Sequence, residues 1–367
     1  MTGSPSQAFE RFFPHWLRTF VRARETGLVV IALATGALSG VLVGLIANGA
    51  QWAHEFFFLL PLDQYLSASD KVDAWRALSV PVAGGLVLAG LVYFVGNRLK
   101  SRMADAIEAN ALHGGRLSIG GSLYITAQTF ISNACGASVG LEAAYTQICA
   151  AVSSFFGRGL AARRSDMRLL VACGAAGAIS AAFGAPLAGA FYAFEVVLGA
   201  YTVASLVPVV ASAIVANLVA SRITFRHDPL PAIAEFNAAT GEFFVHVFIL
   251  GVLCAFASIL LMQGVAVAER MFGHKRLPMF LRPALGGLIV GVFALFTPQV
   301  LAAGHGAFYL NLTTSVPLGM LAAVIVLKAL ASAVSLGAGF RGGLFFAALL
   351  LGGLIGRLYA DALTLYT

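Results

Sequence analysis

Two stretches of this chain are almost free of charge over lengths that a soluble domain rarely offers. Residues 117–157 hold one charged residue in 41, Glu142, and residues 169–221 hold one in 53, Glu195. Charged residues make up 11% of the whole chain, against roughly 25% in soluble domains. About 20 apolar residues cross a bilayer as a helix, and lipid offers no partner for an open sheet edge or an exposed loop. The pattern therefore predicts an all-α polytopic membrane protein. It also singles out the two glutamates, because a carboxylate at membrane depth costs at least about 2.5–3.5 kcal/mol on insertion scales.

The apolar stretches are not simple spans. Runs near 27–49 and 77–96 are long enough to cross, and further runs lie near 243–268, 281–299, 317–336 and 343–360. Segment 117–157 is interrupted from Asn133 to Gly140, and segment 169–221 at Gly184-Ala-Pro186. Glycine and proline breaks of this kind mark broken or re-entrant helices, which belong where protein or a water-filled site satisfies the freed backbone. Two of the breaks echo each other. Gly140-Leu-Glu-Ala-Ala144 and Gly343-Leu-Phe-Phe-Ala347 lie 203 residues apart, and each follows a glycine-rich turn and opens an apolar helix. Corresponding broken segments in two halves point to a transporter's central site, with chance similarity between glycine-rich segments as the alternative. The expected organisation is an interfacial amphipathic helix over 1–25, a first membrane repeat over 26–225 and a second over 226–367. The chain continues about 80 residues past Glu142 but ends within 24 of Leu344, so the second repeat is expected to be incomplete at its C-terminus.

Charge sets the orientation. Arg11, Arg18, Arg22 and Arg24 lie near the N-terminus, opposite an apolar face of Phe9, Phe12, Phe13, Trp16, Leu17 and Phe20. Further basic clusters surround Lys100, Arg163 and Lys275, whereas segment 51–73 is acid-rich. The positive-inside rule places the N-terminus in the cytoplasm and segment 51–73 outside. No cleavable apolar leader opens the chain. Nucleic acid is not an expected partner, because the charges flank spans and form no basic face. Cys135, Cys149, Cys173 and Cys254 lack metal-ligand or redox spacing and read as small buried hydrophobes. No metal and no cofactor are expected.

Glu142 follows Gly136 and Gly140 and opens a helical run. Backbone N–H groups at such a helix start face an anion readily. A carboxylate in that place is able to occupy an anion's position and be displaced by one, which suggests an anion pathway with an acidic gate; neutralisation by burial is the plainer alternative. Other residues carry weaker signals. Glu195 serves a structural pairing or a proton path. Lys328 either holds the field positive around an anion or pairs with a helix C-terminus. Arg341 attracts anions or anchors to headgroups, and His305 reads as a loop histidine. A Ser/His pair of Ser122 with His246 or His305, as in an intramembrane hydrolase, has no spacing to support it.

These strings together resemble the CLC family of chloride channels and chloride/proton exchangers. Gly136-Ala-Ser-Val-Gly-Leu-Glu-Ala-Ala144 is similar to the family's G-x-S-x-G-R-E-G-P. Ser180-Ala-Ala-Phe-Gly-Ala-Pro-Leu-Ala-Gly189, leading to Glu195, is similar to A-A-F-N-A-P-L-A-G…E-E. Gly304-His-Gly306 and Lys328 to Phe345 supply two more motifs in order. The resemblance implies an inverted-repeat bundle of tilted, broken and re-entrant helices, assembled as a homodimer in the cell inner membrane. It implies that Glu142 is the gate. It also implies that Gly140, Leu141, Ala143, Gly343, Leu344 and Phe345 contribute to anion binding, with Ser101 or Arg102 where the family's G-S-G-I-P loop falls. The departures are specific. Leu141 replaces a basic residue, Ala143-Ala144 replace Gly-Pro, Ala347 replaces a proline, and Val196 stands at the inner proton-transfer position. The family's pore-lining tyrosine has no counterpart that the sequence identifies.

The expected function is chloride transport across a membrane, not enzymatic catalysis. Val196 makes it more channel-like than strictly coupled, with a chloride/proton antiporter as the alternative. A membrane scaffold or sensor derived from a transporter is the competing class.

Overall fold

The computed structural model describes residue 19 and residues 25–62, 64–69, 71–96, 103–224, 241–274 and 277–364. The expected interfacial helix over 1–25 and the candidate ligands Ser101 and Arg102 lie outside the described residues. Thirteen α-helices account for most of what is described. They are α1 (Glu25–Phe58), α2 (Ala74–Leu91), α3 (Ala106–Leu112), α4 (Ile119–Ala134), α5 (Glu142–Gly159), α6 (Arg164–Phe183) and α7 (Pro186–Tyr192). Then follow α8 (Val203–Ile223), α9 (Gly241–Phe272), α10 (Arg282–Phe296), α11 (His305–Thr313), α12 (Leu318–Gly337) and α13 (Phe345–Thr364). Wider π-turns continue α2 through Gly96 and α7 through Leu198. Among the described residues seven helices are long and apolar enough to cross a membrane. The 34 residues of α1 run about 50 Å at 1.5 Å per residue, more than the roughly 30 Å hydrocarbon core, so α1 tilts or projects beyond it.

The chain forms two compact units that interleave along the sequence. One takes the described parts of Met1–Gly49, Val95–Ala127 and Glu142–Phe225; the other takes those of Ala50–Phe94, Gln128–Leu141 and Arg226–Thr367. The first unit packs α5, α7 and α8 around α6, over a core composed largely of alanine. That composition suits a membrane, where helices associate through close backbone approach more than through exclusion of water. A Cβ on Gly36 or Gly40 of α1 would lie 2.4 Å from the carbonyl oxygens of Ser212 or Ala216 in α8. In the second unit α2 packs on α10, and α9 and α13 pack on α12. Its core gathers Val290, Leu301 and Ala331.

The breaks expected from the sequence are real. Gly184 ends α6 in the left-handed conformation (φ +64°) and Pro186 starts α7, the glycine-then-proline punctuation that stops one helix and starts the next. The turn from Cys135 to Leu141 separates α4 from α5, with Gly136 at φ +84°.

Candidate functional site

The candidate site is built on two non-helical turns in the second unit, Cys135–Leu141 and Gly339–Leu344. Non-helical backbone at membrane depth must find its hydrogen bonds inside the protein, and several groups of these turns do so. The Gly136 carbonyl accepts from the Ala302 N–H at 3.1 Å. Asn133 Nδ2 donates to the Val139 carbonyl at 2.8 Å, and His54 Nε2 donates to the Asn133 carbonyl at 2.8 Å. The Ser138 N–H donates to Ser335 Oγ at 3.0 Å, and the Ser138 and Ser332 hydroxyls bond to each other at 3.0 Å. All three serines are fully buried. In the other turn the Arg341 N–H donates to Ser132 Oγ at 3.0 Å, and its guanidinium reaches Gln128 Oε1 at 3.5 Å.

The two echoing motifs meet directly. The Gly140 N–H donates to the Gly343 carbonyl at 2.8 Å and the Gly343 N–H returns to the Gly140 carbonyl at 3.1 Å, an antiparallel bridge. Such a pair is symmetric under a two-fold rotation, the relation that an inverted repeat imposes. A Cβ on Gly342 would lie 2.5 Å from Val139 Cβ and 2.8 Å from the Gly140 oxygen, so the approach requires glycine. The bridge also assigns the two glycines a part. Each N–H is taken by the other glycine's carbonyl, while the first N–H groups of α5 and α13 belong to the class with no acceptor inside their own helix.

Glu142 is the first residue of α5 and is 7% exposed. Within its own unit the Tyr192 phenol lies near Thr146 and in electrostatic reach of Asp105 and Glu142. The Thr146 hydroxyl donates to the Glu142 carbonyl at 2.9 Å. Sequence reasoning missed Tyr192. It lies three residues before Glu195 in a run of aromatic and small residues, and no local pattern marked it. Leu344 precedes α13, and Phe345 opens it with its side chain 46% exposed.

The remaining candidates resolve one by one. Lys328 is fully buried and donates to the carbonyls of Val300 at 3.2 Å and Ala302 at 2.8 Å. Val300 ends the short 3-10 turn Pro298–Val300 and Ala302 lies two residues past it, so the lysine sits at a helix C-terminus without snorkelling. His305 opens α11 with its ring stacked on Phe346 (centroids 3.6 Å apart) and facing Tyr65. Glu195 lies on the π-turn after α7 and is exposed beside Val196. It accepts a hydrogen bond from the Tyr201 hydroxyl at 2.7 Å, and this carboxylate raises the Tyr201 phenol above its ordinary pKa. Ser122 accepts from Gln147 Nε2 at 2.9 Å, and His246 bonds to Tyr359. Among the described residues no cluster of potential metal ligands occurs, and the four cysteines are free thiols.

Comparison with known proteins follows the same lines. The sequence profile described as voltage gated chloride channel matches residues 84–367. A ClcB-like chloride channel protein of Ralstonia nicotianae is 36% identical over 335 residues, 89% of this chain and 76% of the relative. The voltage-gated ClC-type chloride channel ClcB of Escherichia coli is 30% identical over 342 residues, 92% of this chain and 81% of the relative. Among solved structures, a slow cyanobacterial Cl−/H+ antiporter superposes with a TM-score of 0.78 at 20% identity, over 92% of this chain and 80% of that one. A CLC-type fluoride/proton antiporter gives 0.73 at 18% identity, over 92% and 82%. At these identities the likeness concerns the fold.

Proposed function

The chain belongs to the CLC family of voltage-gated chloride channels, and from that premise we propose that it carries chloride across a membrane through a pore gated by Glu142. The observation that carries this reading is the reciprocal Gly140–Gly343 bridge. It joins the two turns that stand, in the sequence, two residues before Glu142 and two before Phe345, the first residues of the helices whose N–H groups are proposed to receive the anion. Helix starts concentrate about half a positive charge. In a membrane they replace part of an anion's hydration shell and reject cations by the same field. Leu141, Ala143, Leu344 and Phe345 are the main-chain positions proposed as donors.

Glu142 competes for the same donors. Ionised, its carboxylate fills the anion's place; protonated or rotated away, it vacates it. No covalent chemistry is involved, so the activity is transport and not catalysis.

We favour conduction that is channel-like over strict exchange. Val196 carries no titratable group, and the neighbouring Glu195 is engaged by Tyr201. One observation supports the second reading, chloride/proton exchange: the neighbouring hydroxyls of Tyr192 and Thr146 lie in the same unit as Glu142 and the exposed Asp105. Hydroxyls accept and donate, so they are competent to pass a proton. Reconstitution in liposomes tests both. A chloride gradient should drive chloride flux with little coupled proton movement. Robust uphill proton flux would replace the channel reading with exchange, and absence of any anion flux would leave the chain a scaffold or sensor.

A further inference from the structure

The connector from α1 to α2 borders an open cavity of about 470 Å³ that the transport reading does not use. It lies where two membrane-length apolar helices end and begin, at Phe58 and Ala74, on the side of the membrane where both apolar runs stop. Its apolar lining includes Phe58, Leu60 and Pro61, and its charged lining is Lys71, Asp73 and Arg76. Trp75, Leu59 and Leu62 are exposed around it. A tryptophan in such a position is the usual companion of the bilayer interface.

The three charges do not satisfy one another. Among the described residues neither Lys71 nor Asp73 takes part in an ion pair. Asp73 stands at the N-cap of α2 without capping it. The Arg76 guanidinium donates through Nη1 to the Phe57 carbonyl at 2.7 Å, which holds one edge of the fork against the end of α1 and leaves further donors. Two cations and one carboxylate thus converge on a space many times the roughly 30 Å³ share of a water molecule, beside an apolar rim.

We propose that this cavity holds the headgroup of a zwitterionic phospholipid bearing a primary ammonium, its phosphate between Lys71 and Arg76 and its ammonium at Asp73. Guanidinium and ammonium groups suit phosphate oxygens, and the apolar rim suits the acyl chains. The wider connector argues for a headgroup that brings its own cation. Asp63, Asp70 and Asp73 outnumber Lys71 in its sequence, which disfavours a purely anionic lipid.

The test is lipid retention by the purified full chain after detergent exchange, measured by native mass spectrometry, together with thermal unfolding. The probes are phosphatidylethanolamine, phosphatidylcholine and phosphatidylglycerol of matched chains, and inorganic phosphate. The wild type should retain phosphatidylethanolamine best and be stabilised by it. The double variant Lys71→Ala/Arg76→Ala should retain about tenfold less, the scale of a lost charge-assisted contact. Asp73→Asn keeps both cations and should lose the preference for phosphatidylethanolamine over phosphatidylglycerol. Chloride flux at the wild-type rate certifies that each variant is folded. Equal retention by the double variant overturns the proposal. So does an unchanged lipid preference in Asp73→Asn, or stabilisation by free phosphate equal to that by the lipid.

Discussion

At the scale of single residues, a buried carboxylate and a buried ammonium carry the account. The place of Glu142, buried at the start of α5, was legible from the sequence, because one charge in 41 residues is costly at membrane depth. Its proposed role fixes a sign. Protonation neutralises the carboxylate and releases the donors, so chloride efflux from liposomes should rise as pH falls. Glu142→Gln mimics the protonated form and should show high efflux with no pH dependence. Efflux that falls with acid, or a pH profile retained in Glu142→Gln, would contradict the gate. Lys328 was ambiguous in the sequence, since the partner carbonyls lie 26 and 28 residues away in a turn that no local pattern announces. Lys328→Met keeps the stem but leaves the carbonyls of Val300 and Ala302 without that donor. The expected loss is about 2 kcal/mol, the scale of a hydrogen bond from a charged group. It should be read as a lower unfolding midpoint in detergent, and an unchanged midpoint would remove the lysine from the scaffold.

At the scale of elements, the turns before α5 and α13 matter more than the helices they interrupt. Gly342→Ala places a methyl 2.5 Å from Val139 Cβ, which pries at the Gly140–Gly343 bridge. Chloride flux should drop by about tenfold or more, as misplacement of a binding geometry by a fraction of an ångström readily does. Gly120→Ala, whose added methyl meets open space, is the control and should leave flux unchanged. Equal fluxes in the two variants would deny the bridge any part in transport. The echo of the two motifs was readable because both need the same thing, a glycine turn followed by a helix start. What holds the turns was not readable. Ser332 and Ser335 reach Ser138 from 194 and 197 residues away, and serines inside an apolar helix look alike whether they bond to their own backbone or to a distant turn. Tyr192 was missed for a similar reason, since its neighbour Thr146 is on another helix.

At the scale of the whole molecule, apolar length and glycine breaks were enough to give a polytopic all-α protein. The four motifs, read together, carried the resemblance that family membership bears out. The interleaving of the two compact units was not legible, because the sequence shows contiguous halves while packing sorts segments by the faces they share. Transport mode belongs at this scale too, since coupling needs a proton route through the entire thickness. If exchange operates, Tyr192→Phe should remove proton movement and leave chloride flux, measured in the same vesicles with a pH dye and a chloride electrode. Loss of both together would instead assign the hydroxyl to packing.

The competition between carboxylate and anion is best measured as equilibrium binding of chloride to the purified protein, by calorimetry across pH. Wild-type affinity should weaken as pH rises, and Glu142→Gln should bind more tightly and independently of pH. Identical affinities in the two proteins at every pH would contradict a shared site.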